Sequence, residues 1–337
     1  MMRVLITGGC GYIGSHTCVR LLEAGHTPVI VDSLCNSTNL VLARINALCG
    51  VTPRFYKGDI RDRAFLDMAF AREKIDAVIH FAGLKAVGES VLRPLSYYDV
   101  NVGGTLRLLE AMSEAGVRQL IFSSSATVYG APERVPVRED FPRYALNPYG
   151  QTKLTAENIL LDLHKADPNW SITLLRYFNP VGAHPSGLIG ESPQGVPNNL
   201  VPYLARVATG SLPYLKVFGG DYPTADGTGI RDYIHVMDLA SGHIAALDHS
   251  RNKRGGHIFN LGTGRGVSVL EMIKAFSAAC DRELPYKIVD RRPGDAAEVW
   301  SDPAKAAHEL GWEARLGVSE MVSDTLLWQT RNPLGYE

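Results

Sequence analysis

The sequence predicts an α/β protein: a doubly wound parallel sheet with a smaller C-terminal α/β lobe. Three observations predict it. Short β-rich runs alternate with longer helical patterns through the first half of the chain. Ile, Val, Leu and Phe fill those runs continuously, as in strands buried on both faces. A glycine-rich turn joins the first run to the first helical pattern. The candidate strands are Arg3–Thr7, Pro28–Asp32, Arg54–Tyr56, Ala77–Phe81, Gln119–Ser124 and Ser171–Tyr177. Helical patterns lie near Ile13–Glu23, Asn39–Leu48, Asp62–Ala71, Pro94–Ala115 and Tyr149–Ala166. Such a sheet gathers its ligands at the carboxyl ends of its strands.

Beyond Tyr177 the texture changes. Asn179–Asn199 holds four Pro and four Gly in 21 residues without a clear period, which predicts a long, functional loop. Arg231–Val236, His257–Leu261 and Pro285–Val289 read as strands, and Ser268–Cys280 and Val318–Gln329 as helices. The expected division is 1–178 for the first domain and 179–337 mainly for the second, with strands near 231–262 as candidates to return to the first sheet. No fixed-period repeat or low-complexity tract interrupts the chain.

A length of 337 residues fits about two domains at roughly 150 residues each. Lys and Arg number 34 against 35 Asp and Glu, a net charge of −1, which argues against nucleic-acid binding. A 45% hydrophobic content supplies a large core. No apolar run approaches the roughly 18 residues of a membrane span. Val4-Leu5-Ile6 after Met1-Met2-Arg3 is too short for a secretory signal. The five cysteines are odd in number and scattered, with no C-x-x-C pair. That pattern predicts reduced thiols in the cytoplasm rather than a disulfide framework or a metal site.

Chemistry enters at Thr7-Gly8-Gly9-Cys10-Gly11-Tyr12-Ile13-Gly14. Gly8 permits the tight turn, Gly11 lets backbone approach a pyrophosphate, and Gly14 lets helix and strand pack closely. A pyrophosphate would rest on the free N–H groups of the helix that follows. The spacing is G-x-x-G-x-x-G, with the extra Gly9, in a Rossmann-type setting. Asp32 ends the second strand, 18 residues beyond Gly14. A carboxylate there accepts the ribose hydroxyls of an adenosine and repels a 2′-phosphate, so NAD is expected over NADP. Asp59 follows the third strand and Phe81-Ala82-Gly83 the fourth, where an adenine edge and a pyrophosphate would lie. The second glycine cluster, Gly262–Gly266, lacks a matching acidic residue and reads as a turn.

Tyr149 and Lys153 stand four apart on one helix face. An ammonium within about 4–6 Å of a phenol favours the phenolate, which makes the tyrosine a proton-transfer group for a substrate hydroxyl. This spacing recurs by chance, so its meaning comes from its neighbours. Ser123-Ser124-Ser125-Ala126-Thr127 closes the fifth strand at the same edge. A strand-end serine can hydrogen-bond an alcohol oxygen as it becomes a carbonyl, or can simply form a turn.

With these residues in view, the sequence resembles the extended short-chain dehydrogenase/reductase family, and within it the bacterial-type UDP-glucose (UDP-galactose) 4-epimerase branch. The likeness runs end to end. It includes GGCGYIGSH (Gly8–His16), HFAGLKAVGES (His80–Ser90), SSSATVYG (Ser123–Gly130), LRYFNPVGAHPSG (Leu175–Gly187), DGTGIRDYIHVMDLA (Asp226–Ala240) and the run from Arg291 to Asp295. The resemblance implies Ser125, Tyr149 and Lys153 as catalytic residues. It implies that Tyr12, Ile13, Asp32, Asn36, Asp59, Ile60, Phe81, Lys85 and Phe178 join the glycines, Tyr149 and Lys153 in holding NAD tightly. Val100 departs from the pattern, since relatives often carry there an Asn that touches the cofactor.

The resemblance also implies a UDP-sugar substrate and a homodimer. Arg231 and Arg292 suit a diphosphate, because guanidinium forks match phosphate oxygens. Asn179, Asn199, Leu200, Phe218 and Asp295 are expected against uridine, ribose or sugar. In related sequences the position of Val299 lines the pocket near carbon 2 and carries Tyr where N-acetylated sugars are refused. Val299 is either pocket wall or plain core. The expected reaction is reversible inversion at carbon 4 through a transient 4-keto sugar, with additional activity on UDP-N-acetylglucosamine and UDP-N-acetylgalactosamine open. Two other readings stand beside it. A 4,6-dehydratase needs an acid and base where Ala126 and Thr127 stand. A non-catalytic NAD-binding module has no need of the Tyr149–Lys153 pair.

Overall fold

The computed structural model describes residues 1–336 except 194, 196, 198, 252, 293 and 294. Strands β1 (Arg3–Thr7), β2 (Thr27–Asp32), β3 (Arg54–Lys57), β4 (Ala77–His80), β5 (Gln119–Ser125) and β6 (Ser171–Tyr177) match the six expected runs closely. All pair in parallel, in the spatial order β6-β5-β4-β1-β2-β3. The crossovers are made by α1 (Tyr12–Glu23), α2 (Val41–Cys49), α3 (Arg63–Arg72), α4 (Val87–Leu92), α5 (Pro94–Tyr98), α6 (Gly104–Glu114) and α7 (Pro148–Ala166).

The sheet is buried on both faces, which explains the continuous apolar runs. Val4 and Ile6 join one cluster with Cys18, Val19 and Leu239, while Leu5 between them joins another with Leu66, Leu108 and Leu160. Period-2 alternation persists, but both faces are core.

The expected helix Pro94–Ala115 is interrupted. Between α5 and α6, residues Asp99–Gly103 form one π-helical turn. Helix α6 runs so close to the loop after β3 that a Cβ on Gly104 would lie 2.5 Å from Ile60 Cδ1. The wider turn directs Asn101 inward, where it is buried and clasps Leu84: its Oδ1 accepts from Leu84 N at 2.8 Å and its Nδ2 donates to Leu84 O at 3.0 Å.

After β6 the chain forms β7 (Asn179–Val181), and no further helix or strand arises among the described residues up to Asn199. Then follow α8 (Leu200–Ala208), β8 (Leu215–Phe218), β9 (Ile230–His235), α9 (Val236–Ser250), β10 (Gly255–Leu261), β11 (Gly266–Ser268), α10 (Val269–Ala279), β12 (Tyr286–Val289), β13 (Glu298–Val299), α11 (Ala304–Leu310) and α12 (Val318–Arg331). Strand β10 enters the large sheet beside β6, in parallel, and completes seven strands. Strand β9 stays outside it and pairs with β7, β11 and β13.

Helices α4, α8, α9 and α11 go beyond the expected elements. Pro202 sits in the first turn of α8, where the missing N–H costs nothing. The β9 run ends at His235 rather than Val236, because the His235 ring caps α9 by accepting from Met237 N at 3.1 Å. Asp232, fully buried on β9, organises the smaller unit. It accepts hydrogen bonds from the N–H and hydroxyl of both Thr263 and Ser301, and from Gly264 N. The Gly262–Gly266 cluster is thus a turn pinned to Asp232.

Candidate active site

At the carboxyl end of β1 the glycines do three jobs. Gly8 adopts φ +73°, and a side chain there would also strike Ala82 N at 2.8 Å. A Cβ on Gly14 would lie 2.4 Å from Gly8 O and 2.8 Å from Gly9 Cα, so the helix touches the loop backbone. Gly11 is the N-cap of α1 and no side chain caps the helix, leaving its first N–H groups for a ligand. Asp32 is buried, and its carboxylate accepts from Cys10 N at 3.0 Å, Leu34 N at 2.9 Å and Ser37 Oγ at 2.8 Å. Those bonds orient it beside the glycine loop.

Tyr12 and Ile13 open α1, and the Tyr12 hydroxyl donates to Gly182 O at 2.6 Å, tying this helix to the loop after β7. Asn36 is exposed in the loop after β2. Asp59 follows β3, and its carboxyl is held below the usual range chiefly by hydrogen bonds from Arg61. Ile60 is buried beside it. Phe81 follows β4 and packs on the His243 ring, centroids 4.7 Å apart. Lys85 is exposed and pairs with Glu191 at 2.9 Å. Phe178 is buried at the end of β6. Every expected cofactor residue therefore lies at one edge of the large sheet. Val100 sits in the π turn, and its neighbour Asn101 supports the Leu84 backbone from within.

The three serines at the end of β5 have distinct partners. Ser123 bonds the Tyr177 hydroxyl, Ser124 Oγ donates to Glu157 Oε1 at 2.5 Å, and Ser125 Oγ accepts from both Thr127 N, at 3.2 Å, and the Thr127 hydroxyl, at 2.9 Å. With both lone pairs engaged, Ser125 has its own proton free to donate. Thr127 makes the serine a donor, a contribution not anticipated from the sequence; its only signal was a hydroxyl two residues on.

Helix α7 begins with Asn147, whose Oδ1 accepts from Gly150 N at 2.9 Å, and Pro148 at its first position. Tyr149 follows, half-buried. Burial pushes its phenol upward, and the Ser125 hydroxyl and the positive charge of Lys85 oppose that shift. Lys153 lies one turn further along the same helix. The Lys153 ammonium turns to the strand, donating to Ser123 O at 2.8 Å and lying 5.0 Å from the Phe122 ring centre. Burial brings it down to about 8, opposed by the carboxylate of Glu157.

Of the expected substrate residues, Arg231, Asn179, Asp295 and Val299 lie on or beside β9. Arg231 lies 3.5 Å from the Asp295 carboxylate and pairs in register with Val299. Arg292 places its guanidinium 3.8 Å from the Phe218 ring centre. Asn179 opens β7, alongside Tyr233 of β9. Asn199 is the N-cap of α8, makes no side-chain cap bond, and precedes Leu200. Pro293 and Gly294 of the arginine run lie outside the described residues. Val299 packs against the cluster of Val128, Tyr129, Val137, Leu154 and Phe178, which joins this unit to the Ser125 turn and α7. No group of side chains able to hold a metal ion occurs among the described residues. Nor does any helix among them have the length and apolar content to cross a membrane.

The sequence pattern of the NAD dependent epimerase/dehydratase family matches residues 4–262. The chain is 59% identical to the UDP-glucose 4-epimerase of Bacillus subtilis (strain 168), covering 100% of this chain and 99% of that one. It is 60% identical to the UDP-glucose 4-epimerase of Yersinia pestis, covering 99% of each. Among solved structures, the UDP-glucose 4-epimerase of Bifidobacterium longum in complex with NAD+ and UDP superposes with a TM-score of 0.96 at 53% identity, over 99% of both chains. The UDP-glucose 4-epimerase of Stenotrophomonas maltophila, with bound NAD and formylated UDP-arabinopyranose, gives 0.97 at 52%, again over 99% of both. The chain belongs to the NAD dependent epimerase/dehydratase family.

Proposed function

We propose that this chain reversibly inverts carbon 4 of UDP-glucose and UDP-galactose through a transient 4-keto sugar, using NAD that stays bound. The observation that carries the reading is one sheet edge holding the bare helix N-terminus of α1, Asp32, a donor-primed Ser125 and Tyr149. The site fits NAD: no side chain caps the N-terminus of α1, and Asp32 supplies a buried carboxylate beside it. NAD when bound supplies oxidation at carbon 4 and its reversal, so no outside oxidant is consumed.

The chain's own residues do the rest. The α1 N–H groups hold the pyrophosphate, and Asp32 selects a ribose without a 2′-phosphate. Tyr149 takes the proton of the 4-hydroxyl and returns it. Ser125 donates to the same oxygen as it becomes a carbonyl. Lys153, one turn along α7, supplies the ammonium that favours the phenolate, and Lys85 adds positive charge. Arg231 and Arg292 anchor the diphosphate, and Asn179, Asn199, Leu200, Phe218 and Asp295 surround the uridine and sugar, leaving the 4-keto hexose free to turn. Residues 1–178 with β10 form the NAD-binding unit in this reading, and 179–337 mainly the UDP-sugar unit. Dehydration is disfavoured, because Ala126 is inert and the Thr127 hydroxyl is committed to Ser125.

We also infer a homodimer and a cytoplasmic location. Val91, Leu92 and Leu95 on α4 and α5 are 60%, 82% and 82% exposed, an apolar patch suited to a second copy. The five thiols, all free, suit a reducing compartment.

Tyr149→Phe is expected to lower turnover of UDP-galactose by at least about 10²-fold with little change in UDP affinity; near-normal turnover would remove the tyrosine from the mechanism. Gly14→Ala is expected to yield protein that releases far less NAD on denaturation than the parent, measured by chromatography of the supernatant. UDP-N-acetylgalactosamine is expected to be a weaker substrate than UDP-galactose, and Val299→Tyr to abolish that activity alone. A parent chain inactive on the N-acetylated sugar at high enzyme concentration would make Val299 plain core.

A further inference from the structure

Tyr149, Lys153 and Glu157 succeed one another at steps of four along α7 and so share one face. That face is stapled to consecutive residues of β5. The Lys153 ammonium donates to Ser123 O at 2.8 Å, and Ser124 Oγ donates to Glu157 Oε1 at 2.5 Å. Ser125 is the next residue of the strand. The placement of Tyr149 relative to Ser125 is therefore set by the seating of Glu157 and Lys153 on β5.

Glu157 is itself gripped from behind. Its side chain is 0% exposed, and that of Arg176 on β6 is 1% exposed. Arg176 Nε and Nη2 donate to its two oxygens at 2.8 and 2.7 Å, and Arg143 adds a bond at 3.0 Å. Arg176 Nη1 donates to the Tyr129 hydroxyl at 2.9 Å, which donates to Asn260 of β10 at 2.7 Å. The pair thus joins α7, β5, β6, β10 and the turn after Ser125. Apolar side chains of similar volume often stabilise such a site as well as a buried ion pair does. Stability alone gives no reason for charge here.

We infer that Glu157, held by Arg176, is a positioning residue that seats Tyr149 against Ser125 and places a negative charge one turn beyond Lys153. This rests on the acid–base reading of Tyr149 above. The surroundings of Lys153 agree with it. Glu157 opposes the downward pull of burial on Lys153. His80 of β4 is pushed down to about 3 by burial and by Lys153, and so stays neutral. Tyr149 on the same helix and Tyr177, which bonds Ser123, are the neighbouring phenols, and burial pushes both upward.

The test measures kcat and KM for UDP-galactose across pH with the full chain, as the parent, Glu157→Gln, the double variant Glu157→Gln with Arg176→Met, and Tyr149→Phe. Glu157→Gln is expected to lower kcat about tenfold or more, with KM changed by less than about threefold. The alkaline limb of kcat is expected to move down by about one pH unit, because the ammonium gives up its proton sooner. The double variant removes both buried charges, so it is expected to recover thermal stability while keeping the low kcat and displaced limb. Parent-like kcat and limb in either variant would overturn the inference. Parent-like turnover of Tyr149→Phe would instead overturn the acid–base reading beneath it; an inactive Tyr149→Phe beside an unaffected Glu157→Gln rejects the positioning role alone.

Discussion

Parallel pairing from β3 through β10 puts the carboxyl end of every strand of the large sheet on one edge, together with the N-termini of α1 and α7. Everything chemical follows from that constraint. Backbone N–H groups, the Asp32 carboxylate, the Ser125 hydroxyl and the Tyr149 phenol come from three different crossovers and meet because their strands run the same way. A single antiparallel insertion among β1, β2, β5 and β6 would send one of them to the far edge. The smaller unit is attached to this edge through β7, directly after β6, and through Val299 against Phe178 and Val128.

The electrostatics of the crevice are governed by burial more than by any one pair. Tyr149 is raised and Lys153 lowered, each opposed by a neighbour of suitable charge or hydrogen-bonding capacity. Asn101 and Thr152 form the neutral side of the site, joined by a bond at 3.0 Å, and hold the loop after β4 without adding charge. Hydrogen bonds that commit Thr127 to Ser125 and Ser124 to Glu157 leave Ser125 as the strand-end serine with a proton to give.

Much of this was legible in the sequence where the signal is local. The six strands of the first half and α1 follow from apolar runs and glycines, and α7 from its helical pattern, although its Asn147-Pro148 start was not read. The glycine loop, Asp32, Ser125 and Tyr149 declare themselves by place in that alternation. What escaped is non-local or masked. Helix α9 is buried on much of its surface, with Gly242 and His243 inside it, so no amphipathic stripe marks it. Helix α8 hides behind Pro202, and the π turn depends on how closely Gly104 approaches Ile60. Arg176 sits in a run that reads as a plain buried strand, and only its partners from α7 and the loop at Arg143 explain a charge there. The bond from Lys153 to Ser123 O could not be read from the i,i+4 spacing. Spacing on a helix identifies neighbours, but not which way an ammonium turns.

The central claim is a closed cycle in which carbon 4 loses and regains its hydrogen within one crevice. It is tested most directly with UDP-galactose carrying deuterium at carbon 4, converted by the purified chain in ordinary water with no nucleotide added. The account predicts UDP-glucose that retains deuterium at carbon 4. Loss of the label to solvent, or conversion only when NAD is supplied in stoichiometric amount, would contradict it.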